Sequence, residues 1–149
     1  MDRLELVLTS PKSQDEFDRY YRFRWEQLRQ PLNLPAGSER DQFDRISYHR
    51  MALTSENVLV GIGSIQPQEN SLMRIRYMAV DSHYQRLGIG ALIVKDLMAY
   101  AANHQAVKCW LNARAHAVKF YQKQGFEIIG EVETELLLPH FKMETSLIA

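Results

Sequence analysis

Residues 72–90, LMRIRYMAVDSHYQRLGIG, constrain this chain more than any other stretch. An apolar run ends near Val80, a short polar turn follows, and Gln85-Arg86-Leu87-Gly88-Ile89-Gly90 opens a helix. Over residues 88–103, Ile89, Ile93, Leu97 and Ala101 recur at spacing four while Lys95, Asp96 and Asn103 face away, the pattern of a helix packed on one side. Two glycines where a strand feeds a helix let the backbone approach a ligand closely. First-turn amides lack intrahelical partners, and the helix dipole adds about half a positive charge there, so this helix start suits a phosphate or pyrophosphate. Arg86 could add to that charge. The same glycines could equally serve a tight strand-to-helix turn with no ligand. Two phosphate motifs are excluded: position 93 is Ile where the dinucleotide fingerprint needs glycine, and no Gly-Lys-Ser/Thr follows.

The flanking sequence supplies the rest of an alternating architecture. Residues 3–9 alternate, with Leu4, Leu6 and Leu8 on one face, and read as a strand. Ser13 and Glu16 have capping-box spacing, ahead of a helix that carries Phe17, Tyr20, Tyr21, Arg24 and Leu28 along one side. Pro31, Pro35 and Gly37 then mark an irregular segment to about residue 44. Long loops in compact domains are often functional, so this one is expected to cover a substrate pocket. Strands follow at about 46–54, 57–66 and 72–80, with a turn at Gln68-Glu69-Asn70. A buried strand at 107–112, a helix at 115–124 stopped by Gly125, and strands at 126–134 and 139–147 complete the chain. The order β-α-β-β-β-α-β-α-β-β predicts a mixed sheet with helices on its faces.

Composition narrows the function classes. A chain of 149 residues suits one domain, 1–149, with a core of its own. Lysine plus arginine balances aspartate plus glutamate at 18 each, which argues against nucleic-acid and anionic-membrane partners. No run approaches the roughly 18 apolar residues of a membrane helix, and the start lacks a signal-type stretch, so a cytoplasmic protein is expected. Cys109, the single cysteine, reads as a small core residue. His49, His83, His104 and His116 lack metal-site spacing, and no metal is predicted. Trp25 and Trp110 are read as core aromatics in preference to pocket-lining ones.

The run from Val80 to Gly90 resembles the Q/R-x-x-G-x-G/A signature of the GNAT acetyltransferases. Lys119-Phe120-Tyr121-Gln122-Lys123-Gln124-Gly125-Phe126 resembles that family's F/L-Y-x-x-x-G-F run on its last helix, with a helix and a strand intervening. The tail Gly130-Glu131-Val132…Glu135…Pro139-His140…Met143 is similar to the ElaA-like branch, which tends to show G-E-x-F-x-E-x-G-I-P-H-x-x-M. Leu137 stands where that branch has glycine, and Arg114 where glutamine is common. The resemblance implies one N-acetyltransferase domain of α/β (α+β) class. Its sheet would be mixed, mostly antiparallel and six- to seven-stranded, with helices on both faces and a central splay between strands 72–80 and 107–112.

It also implies a chemistry: acetyl-CoA as co-substrate, and a primary amine of a small molecule or peptide attacking the thioester directly. Backbone groups of Met78, Ala79 and Val80 would hold the pantetheine and polarise the carbonyl. Gln85, Arg86, Leu87, Gly88, Ile89 and Gly90 would hold the pyrophosphate, and Asn112 or Arg114 the pantetheine or the substrate. Tyr121 would face the leaving sulfur. With a thiol pKa near 8.5 and a phenol near 10, full proton transfer is uphill by roughly 2 kcal/mol, so hydrogen bonding to the thiolate is the expected role. His140, in the matching Pro-His pair, is the attractive general base, with a structural role for it equally open. Glu26, Glu133, Glu135 and a relayed water are alternatives. Arg24, Arg29, Arg40 and Arg45 hint at an anionic group on the substrate. A silent acyl-CoA-binding module is the runner-up, and a homodimer through sheet edges or C-terminal strands stays open.

Overall fold

Hairpin connections join β2 (Tyr48–Thr54), β3 (Leu59–Pro67) and β4 (Leu72–Val80) into an antiparallel meander, in a computed structural model that describes residues 5–134 and 136–147. On the outer edge of β2 lies β1 (Leu6–Thr9). Beyond β4 comes β5 (Lys108–Arg114), the only parallel pairing among these strands. The last strand, β7 (His140–Ser146), inserts antiparallel between β5 and β6 (Glu127–Val132), giving seven strands in the order β1-β2-β3-β4-β5-β7-β6. The element order matches the expectation from periodicity, although Leu4 lies outside the described residues. Boundaries shift: β5 runs through Ala113 and Arg114, and a short 3-10 turn over Ala115–Ala117 precedes the last helix.

Three helices flank the sheet, each started or stopped by local chemistry. The capping box of α1 (Gln14–Leu28) is closed, with the Ser13 hydroxyl accepting from the Glu16 amide and Glu16 accepting from the Ser13 amide, both at 3.1 Å. Gly88, at φ +82, caps α2 (Ile89–Asn103). Gly125, at φ +98, ends α3 (Val118–Lys123) and lets the Phe126 amide return to the Tyr121 carbonyl at 3.1 Å.

The two faces of the sheet are covered differently. On one, Ile89, Ile93, Leu97 and Ala101 of α2 and Tyr121 of α3 bury Ile65, Met73, Ile75, Cys109, Leu111 and Ala113. The helix α2 lies directly on β3, since a Cβ on Gly63 would sit 2.8 Å from Ile93 and one on Gly61 2.9 Å from Ile89. On the other face, α1 packs Tyr20, Tyr21 and Phe23 against Met51, Leu59 and Ile62. Asp96 does not face away as predicted; it pairs with Arg50 of β2 at 3.0 and 3.1 Å. Nor are the tryptophans core residues. Both are half-buried, with Trp25 donating to the Leu34 carbonyl at 3.0 Å and Trp110 flanked by the cations of Arg74 (4.6 Å) and Lys142 (4.7 Å). Their rings cover polar ground that pure hydrophobes could not.

Candidate active site

The sheet parts at its middle. Pairing between β4 and β5 stops after Arg74↔Trp110, while β5 stays paired with β7 as far as Arg114↔His140. Ile62 opposes Ala79 and Ser64 opposes Arg76, so two residues of β4, Tyr77 and Met78, stand against Gly63 in a bulge. Tyr77 takes φ +56 there. Such a bulge bends the strand and sharpens its twist, which accounts for β4 turning from β5. A cleft of about 1010 Å³ opens at the parting, and Met78, Ala79, Val80, Gln85, Asn112, Tyr121 and His140 all line it. The Asn112 Oδ1 atom is buried in it without a hydrogen-bond partner. A buried acceptor left unpaired costs about 1–3 kcal/mol, which a ligand N–H entering the parting would recover.

The two glycines before α2 have different reasons. A Cβ on Gly88 would meet nothing within 4 Å, so its positive φ is what demands glycine. A Cβ on Gly90 would press on Phe120 at 3.1 Å, so close packing against α3 demands it there. No side chain caps the start of α2. Arg86 is also held at φ +67 and Leu87 is 56% exposed. Within Gln85–Gly90, Gln85 lines the cleft and the five residues after it do not.

Tyr121 packs edge-on to Phe120 and Phe126, with ring centroids 4.9 and 5.9 Å away. Burial pushes its phenol well above the ordinary value, so the O–H keeps its proton. His140 is buried and donates from Nδ1 to the Leu138 carbonyl at 2.8 Å, with Thr134 Oγ1 at 3.3 Å from the same nitrogen. In the neutral ring that bond leaves the lone pair on Nε2. Glu133 lines the cleft as well. Glu26 lines a separate hollow with Trp25 and Arg40, and Glu135 lies outside the described residues.

The segment after α1 is held by a buried polar network. Arg24, fully buried, pairs with Asp44 at 2.8 Å, donates to the Glu39 carbonyl at 3.1 Å and to the Tyr20 hydroxyl at 3.0 Å. His49 donates from Nε2 to the Asp44 carbonyl at 2.7 Å, so its Nδ1 accepts from Tyr20 at 2.8 Å. Arg24 is therefore a tether, and neither it nor Arg45 lines the cleft, whereas Arg29 and Arg40 do. Arg74, Arg76 and Arg114 line it too. Reading β4 as an apolar run hides Arg74 and Arg76; their alternation with Met73 and Ile75 is the sequence signal for them. Asp41 pairs with Arg76 and accepts from the Tyr77 hydroxyl at 2.8 Å. Burial opposes its charge, yet the Tyr77 hydroxyl, the Phe43 amide and Arg76 hold its carboxyl below the ordinary value.

The pattern of the GNAT acetyltransferase domain family matches residues 29–147. The chain belongs to that family, and with it to the acyltransferases. It is 29% identical over 133 residues to the N-acetyltransferase YjcF of Bacillus subtilis, a protein itself called uncharacterized, covering 89% of this chain and 94% of that one. ElaA of Escherichia coli has the same fold, with a TM-score of 0.80 at 19% identity over 95% of this chain and 99% of that one. An aminoglycoside 6'-N-acetyltransferase solved with coenzyme A also superposes, with a TM-score of 0.79 at 16% identity over 96% of this chain and 98% of that one. Among the described residues no cluster of His, Cys, Asp and Glu could hold a metal ion, and no helix is long and apolar enough to cross a membrane.

Proposed function

We propose that this protein transfers the acetyl group of acetyl-CoA to a primary amine of a small molecule or peptide. The observation that carries the reading is the parting of β4 from β5, which leaves the backbone of Met78, Ala79 and Val80 without a strand neighbour on that side beside the orphaned Asn112 Oδ1. A pantetheine arm is amide-rich and narrow, and such an edge can bond it as a missing strand would. The uncapped start of α2 at Gly88 suits the pyrophosphate, with the amides from Gln85 to Gly90 as donors.

In this reading the acceptor arrives as an ammonium about three units too basic at neutral pH, and His140 Nε2 removes a proton. The amine nitrogen then adds to the thioester carbonyl carbon while a β4 amide donates to the oxygen that becomes negative. The carbon–nitrogen bond forms, the carbon–sulfur bond breaks, and sulfur leaves with the electron pair. Tyr121 donates a hydrogen bond to that sulfur. Because burial raises its phenol pKa, it holds its own proton, and the second proton lost by nitrogen ends on the thiol.

Calorimetry with acetyl-CoA tests the binding half. Wild type should bind, and Gly88→Glu should bind at least tenfold more weakly than Gly88→Ala, which carries the same backbone strain without the bulk and charge. Release of free thiol across a panel of primary amines tests the transfer half. No binding by wild type would reduce the glycine pair to a structural turn and end the reading.

A further inference from the structure

The cleft is cationic although the chain is neutral. Among the described residues five arginines line it, Arg29, Arg40, Arg74, Arg76 and Arg114, against two carboxylates, Asp41 and Glu133, while the chain's net charge is zero. Strand alternation sets the pattern. Met73, Ile75, Cys109, Leu111 and Ala113 belong to the core under α2, so Arg74, Arg76, Trp110, Asn112 and Arg114 share the opposite face.

Three of these guanidiniums have no carboxylate partner among the described residues. The Arg74 guanidinium makes no hydrogen bond or ion pair with a described residue, and its Nε is buried without a partner while the group stacks on Trp110. Arg29 Nη1 and Arg114 Nη2 both donate to one oxygen, the Leu28 carbonyl, each at 3.1 Å, which brings two like charges together. Arg76 is the member neutralised by Asp41. Burial, and then the charge of Arg76, pushes Arg74 down to about 10. Burial also lowers Arg29, with Arg114, Arg76 and Arg24 adding to the effect. Like charges crowded in a half-buried site repel unless an anion enters.

Position separates Arg74 from the start of α2. Arg74 sits where β4 and β5 are still paired, and Val80 lies six residues along the strand, roughly 20 Å at 3.3 Å per residue. Arg74 and the start of α2 thus lie at opposite ends of the stretch of β4 edge where the thioester would lie, while Arg114, four residues beyond Trp110 on β5, stands across the parting from that stretch.

We infer that the acceptor amine is carried by a molecule with a carboxylate or phosphate group, which Arg74, Arg114 and Arg29 bind on the floor of the cleft. This rests on the N-acetyltransferase reading and narrows its substrate class. Planar guanidinium forks suit bidentate contact with either group. Polycationic amines are disfavoured by the same charges.

The test uses matched acceptors: glycylglycine against glycylglycinamide, 4-aminobutyrate against 4-aminobutanamide, and phosphoethanolamine against ethanolamine. The anionic member of each pair that is turned over should exceed its neutral partner at least tenfold in kcat/KM, mainly through KM. That ratio should fall towards one in Arg74→Gln and Arg114→Gln. The wild-type ratio alone keeps the test informative if a variant misfolds. A second donor, acetyl-pantetheine, separates the sources of anion, because it has no nucleotide phosphates. If the arginines serve those phosphates, Arg74→Gln weakens acetyl-CoA alone and wild type shows no anionic preference, which overturns the inference. Acetylation without preference overturns it and leaves the enzyme reading standing. Acetyl-CoA binding with no amine of either kind acetylated overturns both.

Discussion

The two faces of the sheet solve opposite problems. Under α2, the buried contacts are apolar and close: Ile93 and Leu97 have no exposed surface, and two β3 glycines give up side chains so the helix can descend. On the α1 side, aromatics cover β2 and β3, and then the cover stops. What remains over β4, β5 and β7 is arginine, asparagine and a tryptophan between two cations. Even the buried part of that side includes a charge, with Arg24 boxed by the rings of Tyr20, Tyr21 and Tyr77. One face holds the fold together by volume, and the other holds a loop and a cleft by pairing.

That contrast is easiest to break by truncating one residue on each side. Arg24→Ala should cost about 4 kcal/mol, because Asp44, the Glu39 carbonyl and Tyr20 lose a buried partner at once. Leu97→Ala should cost about 3 kcal/mol through a cavity under α2. Urea unfolding measures both. If Arg24→Ala unfolds like wild type, the polar network carries no stability and the comparison fails.

Catalysis should answer to the cleft and not to either core. Tyr121→Phe keeps the ring against Phe120 and Phe126 but removes the donor, so kcat should fall about 100-fold, some 2.7 kcal/mol, at an unchanged melting temperature. A fall below threefold would mean that Tyr121 is a packing residue only.

Much of the helical framework was legible in the sequence because its signals are local. Spacing four in α2, the capping box at Ser13 and the stop at Gly125 each need fewer than twenty neighbouring residues to read. That the glycine pair opens one helix and that Tyr121 lies on the next was legible for the same reason. The cationic floor was not, since it depends on register between β4 and β5, segments some 36 residues apart that meet at only three paired positions. Trp110 misled because a large aromatic reads as core, whereas its ring face also stacks on cations. Arg24 misled in the other direction: an arginine that hints at a substrate anion is as fully buried as Tyr20 and tethers the loop after α1.

Acidification sharpens the comparison, because the titrating group sits on one side only. Burial holds His49 below its ordinary value near 6.5, and its bonds to Tyr20 and the Asp44 carbonyl use the neutral ring. The unfolded chain therefore binds more protons than the fold as pH drops through 6.5. Stability is full above that value and declines until pH passes the folded pKa. Asp41, held below its ordinary carboxyl value, contributes its own loss only at much lower pH. Between pH 7.5 and 5.5 the melting temperature of wild type should fall further than that of His49→Gln. Equal falls would place the acid sensitivity elsewhere.

The smallest effect concerns strain at the rim. Tyr77, Arg86 and Leu137 are bulky residues held at φ +56, +67 and +55, in the β4 bulge, at the entry to α2 and in the turn before His140. Leu137 is 92% exposed, so little packing repays its left-handed backbone. It also stands where the resembling branch has glycine. Leu137→Gly should therefore stabilise the protein by about 1 kcal/mol, since a left-handed residue with a Cβ costs 1–2 kcal/mol and glycine's greater freedom in the unfolded chain offsets part of the gain. The same change frees the turn that carries the Leu138 carbonyl, the acceptor orienting His140. If that orientation matters to proton removal, Leu137→Gly should raise the melting temperature while lowering kcat severalfold, a split that a purely structural turn would not produce.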